Sequence, residues 1–256
     1  MPSHSRPSFA APAAVVSATD SSLVRAALVL ALSVAGLTAS TEGITAQESD
    51  RPSSRATAVT SPPTIDGAPD EAVWGNAPTL DGFVQRVPRD GQPATEPTEV
   101  RFIYDGDAIY VAVWAFDSQP GSIVEGEAIR DYDLQQSDAV VLIFDTFGDE
   151  QNAFVFGTNP VGIEYDGQVA NSGQGGGGFF LGGGRTGARR QQGGAGGGFN
   201  LNWDGSWTVE TSRDARGWYA EFRIPFSTLR YGEGDEQTWG LNVTRRVRRL
   251  NEESFW

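Results

Sequence analysis

The segment "EVRFIYDGDAIYVAVWAFD" (residues 99–117) is the feature that most limits what this chain can become. Val100, Phe102 and Tyr104 fall on alternate positions, "DGD" supplies a tight turn, and Ile109, Val111 and Val113 alternate again. A period of two puts one face of a strand in a core, so the spacing predicts a β-hairpin with one buried face. With 32 Gly and 14 Pro among 256 residues, the rest of the chain is also turn-rich and strand-rich. Hydrophobic residues make up 39% of the sequence, enough for one large core or two small ones.

The other segments repeat the pattern. "DAVVLIFDT" (138–146) is apolar on both faces, as a central covered strand would be, and aspartates bracket it. "NAFVFGTNPVGIEYDG" (152–167) reads as a hairpin bending at "TNPVG", and "WTVET" (207–211) with "GWYAEFRIP" (217–225) as another. In the latter Trp218, Ala220, Phe222 and Ile224 point one way and Tyr219, Glu221 and Arg223 the other. "TWGLNVTRRVRR" (238–249) closes the series. The fold class is all-β: a two-sheet antiparallel β-sandwich, jelly-roll-like, with a short N-terminal helix.

Charge and residue usage remove several functions. Acids outnumber bases 33 to 19, every base is Arg, and the net charge is -14, which repels phosphate backbones and excludes nucleic acid as the expected partner. The arginines of "RRVRR" (245–249) are divided between two strand faces, where they are expected to pair with carboxylates of a neighbouring strand or to meet whatever follows. Cysteine is absent and the one histidine is His4, so Ser-His-Asp and Cys-His nucleophiles and the usual zinc sets are not expected in the folded part.

Arg25 precedes the apolar run "AALVLALSVAGL" (26–37), short for a membrane span and of the right length for a signal-peptide core, with a cleavage point after Ala46 in "ITAQ". Residues 1–46 are thus expected to be an export signal, giving a periplasmic, outer-membrane or cell-surface location. Residues 47–60 are expected as a linker and 57–256 as the sandwich. Residues 173–198 hold 14 of the 32 glycines and are expected to be a disordered loop, with Phe179, Phe180, Arg189 and Arg190 as its stickiest members.

"PPTIDGAPDEAVWGNAPTL" (62–80) surrounds a single tryptophan. Pro69 suits the start of a short helix, Asp70 and Glu71 its first turn, and Val73, Trp74 and Ala77 share one side. The segment is expected to be a helical lid whose Trp74 closes the end of the sandwich.

Four of these stretches carry a resemblance. "IDGAPDEAVWGNA", "SDAVVLIFDT", "GWYAEFRIPFSTL" and "WGLNVTRRVRR", in this order over residues 57–256, are similar to the family 9 carbohydrate-binding modules. They look most like the version at the N-terminus of bacterial envelope proteins that continue into an outer-membrane barrel. The resemblance implies a β-sandwich that binds polysaccharide or oligosaccharide, often beside xylan- or cellulose-degrading enzymes, with calcium in structural roles. It implies also that the chain continues past "ESFW" into a barrel. Sugar-binding members carry a tryptophan just before the "D-x-V-x-x-x-x-D" strand as one wall of an aromatic clamp; here "YDLQQSD" (132–138) offers Tyr132. The other wall lies near the module's end, where this chain has Trp256.

Further candidates come from composition. Trp203 and Trp207, with Asn202 and Asp204, have the makings of a stacking platform, since a spacing of four on an extended chain shares a face; the same spacing equally fits Trp207 in the core with Trp203 capping the sandwich edge. Arg130, beside Tyr132, is a hydroxyl ligand in the same reading. Asp145, Asp149 and Glu150 bring three carboxylates into one turn as a candidate calcium site. Three functions follow: a non-catalytic carbohydrate-binding module; a structural or gating domain of a barrel protein that has lost sugar binding; and a glycoside hydrolase, for which no segment nominates the necessary carboxylate pair.

Overall fold

The computed structural model describes residues 13–18, 52–170 and 198–256. The apolar run 26–37, the cleavage point after Ala46 and the residues Phe179, Phe180, Arg189 and Arg190 lie outside them. Two sheets are formed. The smaller has the order β11 (Thr208–Asp214), β12 (Gly217–Pro225), β6 (Ala108–Phe116), β5 (Thr98–Tyr104), β3 (Thr57–Ala58). The larger runs β10 (Gly198–Asn200), β9 (Tyr165–Ala170), β8 (Ala153–Thr158), β7 (Ala139–Asp145), β13 (Glu236–Val247), and then β1 (Ala13–Ala18) and β2 (Ser53–Arg55). The far half of β13 pairs with β14 (Glu252–Phe255), which pairs in turn with β4 (Val84–Val87). All pairings are antiparallel except β1 with β13 and β3 with β5. Among the described residues no helix is long and apolar enough to cross a membrane.

The expected hairpins form where their alternation places them. Phe102 pairs with Val111 across the "DGD" turn, and Val209 with Phe222 across the turn after Asp214. Both turns use one device. Asp105 accepts from the amides of Asp107 and Ala108 and from the Tyr110 hydroxyl at 2.8 Å; Asp214 accepts from the Arg216 amide and the Tyr219 hydroxyl, each at 2.7 Å. A carboxylate at the turn's first position thus satisfies the turn and anchors a tyrosine five residues on. Residues 53–58, read as linker, are instead two short strands around buried Ala56, and the Val59 amide donates to Tyr104 O.

The core lies between the sheets. Val100, Phe102, Val111, Val113, Trp218, Ala220 and Phe222 face Val140, Leu142, Phe144, Phe156, Trp239 and Leu241. Phe144 meets Phe102 edge-on at 6.2 Å and Trp239 at 6.1 Å, arrangements that suit the ring quadrupoles. Each sheet also carries an apolar patch on its outer face. On the larger sheet Val141, Val155 and Tyr165 lie under Leu134 and Ile163.

On the smaller sheet Ile103, Ala108, Tyr110 and Ala112 lie under Trp74 and Ala77. Trp74 therefore covers the outer face of a sheet instead of closing the end of the sandwich. The helix expected here is a short 3₁₀ turn, Ala72–Asn76, with Glu71 just before it and no acid in its first turn. The sequence shows which side of this segment is apolar but not which surface receives it.

Near the far end of β13 the arginines find carboxylates. Arg246 pairs at 2.7 Å with Glu253, directly opposite on β14, and Glu253 also takes Arg86 at 2.5 Å. Arg249 pairs with Asp117 at 2.7 Å and with Glu96. Arg245 is fully buried, 4.0 Å from the equally buried Asp138 and 5.7 Å from the Trp218 ring centre. Burial pulls its guanidinium below the ordinary value, opposed by Asp138, Asp117, Glu96 and Glu252.

Phe156→Ala removes a ring that touches Phe144, Trp203 and Trp207. Urea unfolding is expected to show a loss of about 3–5 kcal/mol. Phe147→Ala, at a side chain 55% exposed, should change stability by less than about 0.5 kcal/mol.

Candidate functional site

The residues nominated by the sequence fall into two separate places. The first centres on Arg130. Asp131, next to it, has φ 58 and donates its amide to Glu164 O at 3.1 Å, which sets the loop over the start of β9. Arg130 then reaches Asp166 at 2.6 Å, Asp204 at 2.7 Å and Glu164. Burial alone would lower the guanidinium's pKa, but the carboxylates outweigh it and raise it. Asp166 is 1% exposed and also accepts from the Gly205 amide at 2.7 Å. Burial lifts its carboxyl above the ordinary value, with the Gly205 amide and Arg130 pulling the other way. Arg130 is thus a clasp between β9 and residues 201–206, with Asp204 still exposed at its edge.

Trp203 and Trp207 do lie on one side, but that side is the core. Phe156 contacts Trp203 at 5.9 Å and Trp207 at 5.2 Å, and Trp207, 4% exposed, stacks on Phe222 with planes 8° apart. Trp207 is a core residue and not a ligand platform, because the chain enters β11 with this side against the opposite sheet. Trp203 is half-buried over Phe154 and Phe156, leaving Asn202 exposed beside it. Tyr132 packs on the outer patch with Leu134, Val141 and Tyr165.

The second place is a cleft of about 540 Å³ beside Trp256. Trp256 exchanges backbone bonds with Val243, at 3.0 and 3.2 Å. The strand leading to it is pinned by buried acids: Glu252 accepts from the Thr95 amide at 2.8 Å and its hydroxyl at 2.5 Å, and Glu253 holds Arg86 and Arg246. The cleft is lined by Ser53, Ser54 and Arg55, by Thr79, Leu80 and Asp81, and by the half-buried indole. Neither Arg55 nor Asp81 has a side-chain partner among the described residues. None of Arg130, Tyr132, Asn202, Trp203 or Asp204 lines this cleft. The sequence nominated Trp256 alone here, since residues 53–55 read as linker and residues 78–81 as the end of a lid. Their meeting is long-range, and no local signal announces it.

The turn at Asp145 does not suit the calcium implied by the resemblance. Asp145 accepts from the amides of Phe147 and Asp149 at 3.2 Å and of Glu150 at 2.7 Å. Asp149 accepts from the amides of Gln151 and Asn152, each at 2.8 Å, and from the Asn152 side chain at 2.6 Å. Burial pushes the Asp149 carboxyl up, but the Asn152 side chain and these amides outweigh it and hold the group below its ordinary value. The carboxylates of Asp145 and Asp149 face donors, as in an ordinary acid-rich turn. Among the described residues no group of three or more His, Cys, Asp or Glu could hold a metal ion.

Arg130→Ala leaves Asp166 buried without its charged partner and is expected to destabilise the domain by about 1–3 kcal/mol in urea unfolding, below the figure for a fully buried pair because Arg130 is itself part-exposed. Asp145→Ala, which orphans three amides, should lower stability by about 1–3 kcal/mol, equally with calcium and with chelator.

No protein-family model matches the sequence, and no curated protein matches it. Solved structures do match. A candidate carbohydrate-binding protein from Bacteroides uniformis is 14% identical, with a TM-score of 0.53 over 78% of this chain and 87% of that one. A family 9 carbohydrate-binding module from Caldicellulosiruptor kristjanssonii in complex with glucose is 12% identical, with a TM-score of 0.45 over 78% of this chain and 83% of that one. The module from the same organism in complex with cellotriose is also 12% identical at 0.45, over 78% and 81%. The likeness to the Bacteroides protein is one of fold: this chain is a two-sheet β-sandwich of the same type.

Proposed function

We propose that this domain binds carbohydrate without transforming it, at the cleft beside Trp256. The observation that carries the reading is a half-buried indole placed with a carboxylate, Asp81, and a guanidinium, Arg55, neither of which has a side-chain partner among the described residues. A sugar ring has an apolar CH face that packs on an aromatic surface and paired hydroxyls that donate to a carboxylate and accept from a guanidinium. Small-molecule sites occupy about 300–1,000 Å³, and this cleft falls within that range. Glycosidic hydrolysis needs two carboxylates about the scissile bond, whereas Asp81 is the one carboxylate among the described lining residues, which supports binding without cleavage.

The same reading makes the module an exported one, an accessory to the breakdown of a polysaccharide, with Arg25 and the apolar run 26–37 as support for export. A second reading is that of a domain serving an outer-membrane barrel, its sugar binding lost. What favours it is Tyr132, which stands where the resemblance puts a clamp wall and is packed beside Leu134, away from the Trp256 cleft.

The test is retention of the full chain on insoluble xylan and cellulose and titration with soluble oligosaccharides. Trp256→Ala and Asp81→Ala should each weaken binding by about tenfold or more, a loss equivalent to about 1.4 kcal/mol. Asn202→Ala should leave it unchanged. Loss through Asn202→Ala and not through Trp256→Ala would move the site to the Arg130 region; retention on no glycan would favour the barrel-associated domain.

A further inference from the structure

Glu221 stands in the middle of β12 on the outer face of the smaller sheet, yet it is 0% exposed. Its cover is the segment 64–77, which crosses that face. One carboxylate oxygen accepts from the Asp66 amide at 3.1 Å and the Gly67 amide at 3.0 Å; the other accepts from the Trp74 indole N–H at 3.0 Å. Gly67 has φ 83, and a Cβ there would come within 2.5 Å of the Thr211 backbone, so the segment lies as close to the sheet as a chain can.

The charges facing Glu221 are mostly of its own sign. From the segment come Asp66 and Glu71, the latter with an oxygen 3.3 Å from the same indole nitrogen. From β11 comes Glu210, paired directly opposite. From β6 the facing residue is Ala112, flanked by Tyr110 and Trp114. The neighbouring cations are directed elsewhere. Arg101 of β5 donates to Trp74 O at 3.0 Å and lies over the Trp114 ring, while Arg223, two residues along β12 and paired opposite Tyr110 of β6, acts on Tyr110 and Asp105. Tyr219, two residues the other way, bonds Asp214.

We propose that Glu221 is a proton-operated latch, holding segment 64–77 on the sheet while its proton is bound and loosening it when the proton leaves. A buried carboxyl beside Glu71 and opposite Glu210, with no guanidinium of the described residues directed at it, favours its neutral form. The neutral acid still accepts N–H bonds and gains a hydrogen to donate. Burial, with Glu71 adding to it, pushes Glu221 up to about 7 against the pull of the Asp66, Gly67 and Trp74 donors. Once the segment detaches, Glu221 faces water and returns toward the ordinary 4.5. The docked form therefore binds the proton more tightly. Its advantage is whole below pH 4.5, declines as pH rises toward about 7, and is absent above. Detachment uncovers the apolar patch of Ile103, Tyr110 and Ala112.

The test is hydrogen exchange of the full chain, corrected for the intrinsic pH dependence of exchange and followed by mass spectrometry at pH 5 and pH 8. Protection of peptides within 64–77 is expected to fall by about tenfold or more at pH 8 relative to peptides of β7. In Glu221→Gln, a neutral isostere, it should stay level. Glu71→Gln, which removes one facing charge, should shift the wild-type transition to lower pH. Protection that is level in the wild type, that rises with pH, or that falls equally in Glu221→Gln would overturn the latch.

Discussion

The structure depends on the interlock of aromatic rings between the two sheets, at whose centre Phe144 meets Phe102, Phe156 and Trp239. Side chains of a strand alternate between faces, so a slip of one residue would turn Phe144 outward and Ile143 inward. Once that register is set, every outward position is assigned as well. Val141 and Val155 must then be covered by the loop carrying Tyr132 and Leu134, and Ala112 and Glu221 by the segment carrying Trp74. The outer layers follow from the inner one.

The buried ion pairs act differently. Burying an ion pair adds little net stability, because desolvation offsets attraction, but leaving one partner alone is heavily penalised. Glu253 is buried and paired with Arg86 and Arg246, and its neighbour Glu252, also buried, is satisfied by the Thr95 amide and hydroxyl. That requirement fixes the path of β14 and so the position of Trp256. The cleft is built by polar specificity at its back and an aromatic surface at its front.

The hairpins were legible because alternation and turn residues are local: Val100 to Val113 announces two strands without reference to the rest of the chain. The partners of "RRVRR" were legible in part: Arg246 meets Glu253 of the neighbouring strand, but Arg248 and Arg249 leave β13 for a 3₁₀ turn, and Arg249 reaches Glu96 and Asp117 outside any strand. Trp207 carried two readings, core and platform, because an aromatic residue among Asn and Asp has the same composition at a core edge and at a sugar platform; only the entry direction of β11 separates the two. Asp145 and Asp149 were open to two readings for a related reason, since an acid-rich turn resembles a metal loop until its amides are placed. Arg55 and Asp81 carried no signal at all. Their meeting depends on a strand at residue 55 and a loop at residue 81 folding together beside Trp256.

The latch and the cleft are neighbours in sequence, since segment 64–77 runs directly into residues 78–81 of the cleft wall. What separates them is Leu80. Its amide and carbonyl exchange bonds with Val100 at 2.8 and 2.9 Å, and its side chain belongs to the core between the sheets. Release of the segment breaks contacts on the outer face of the smaller sheet, but it reaches Asp81 only if Leu80 also leaves the core. Burying a leucine side chain is worth about 1.5–3 kcal/mol, and the paired backbone bonds add to that. Local opening in proteins stops at such boundaries between weakly and strongly packed units. Leu80 is that boundary here, so the wall holding Asp81 stays in place through a motion that begins three residues before it, at Ala77.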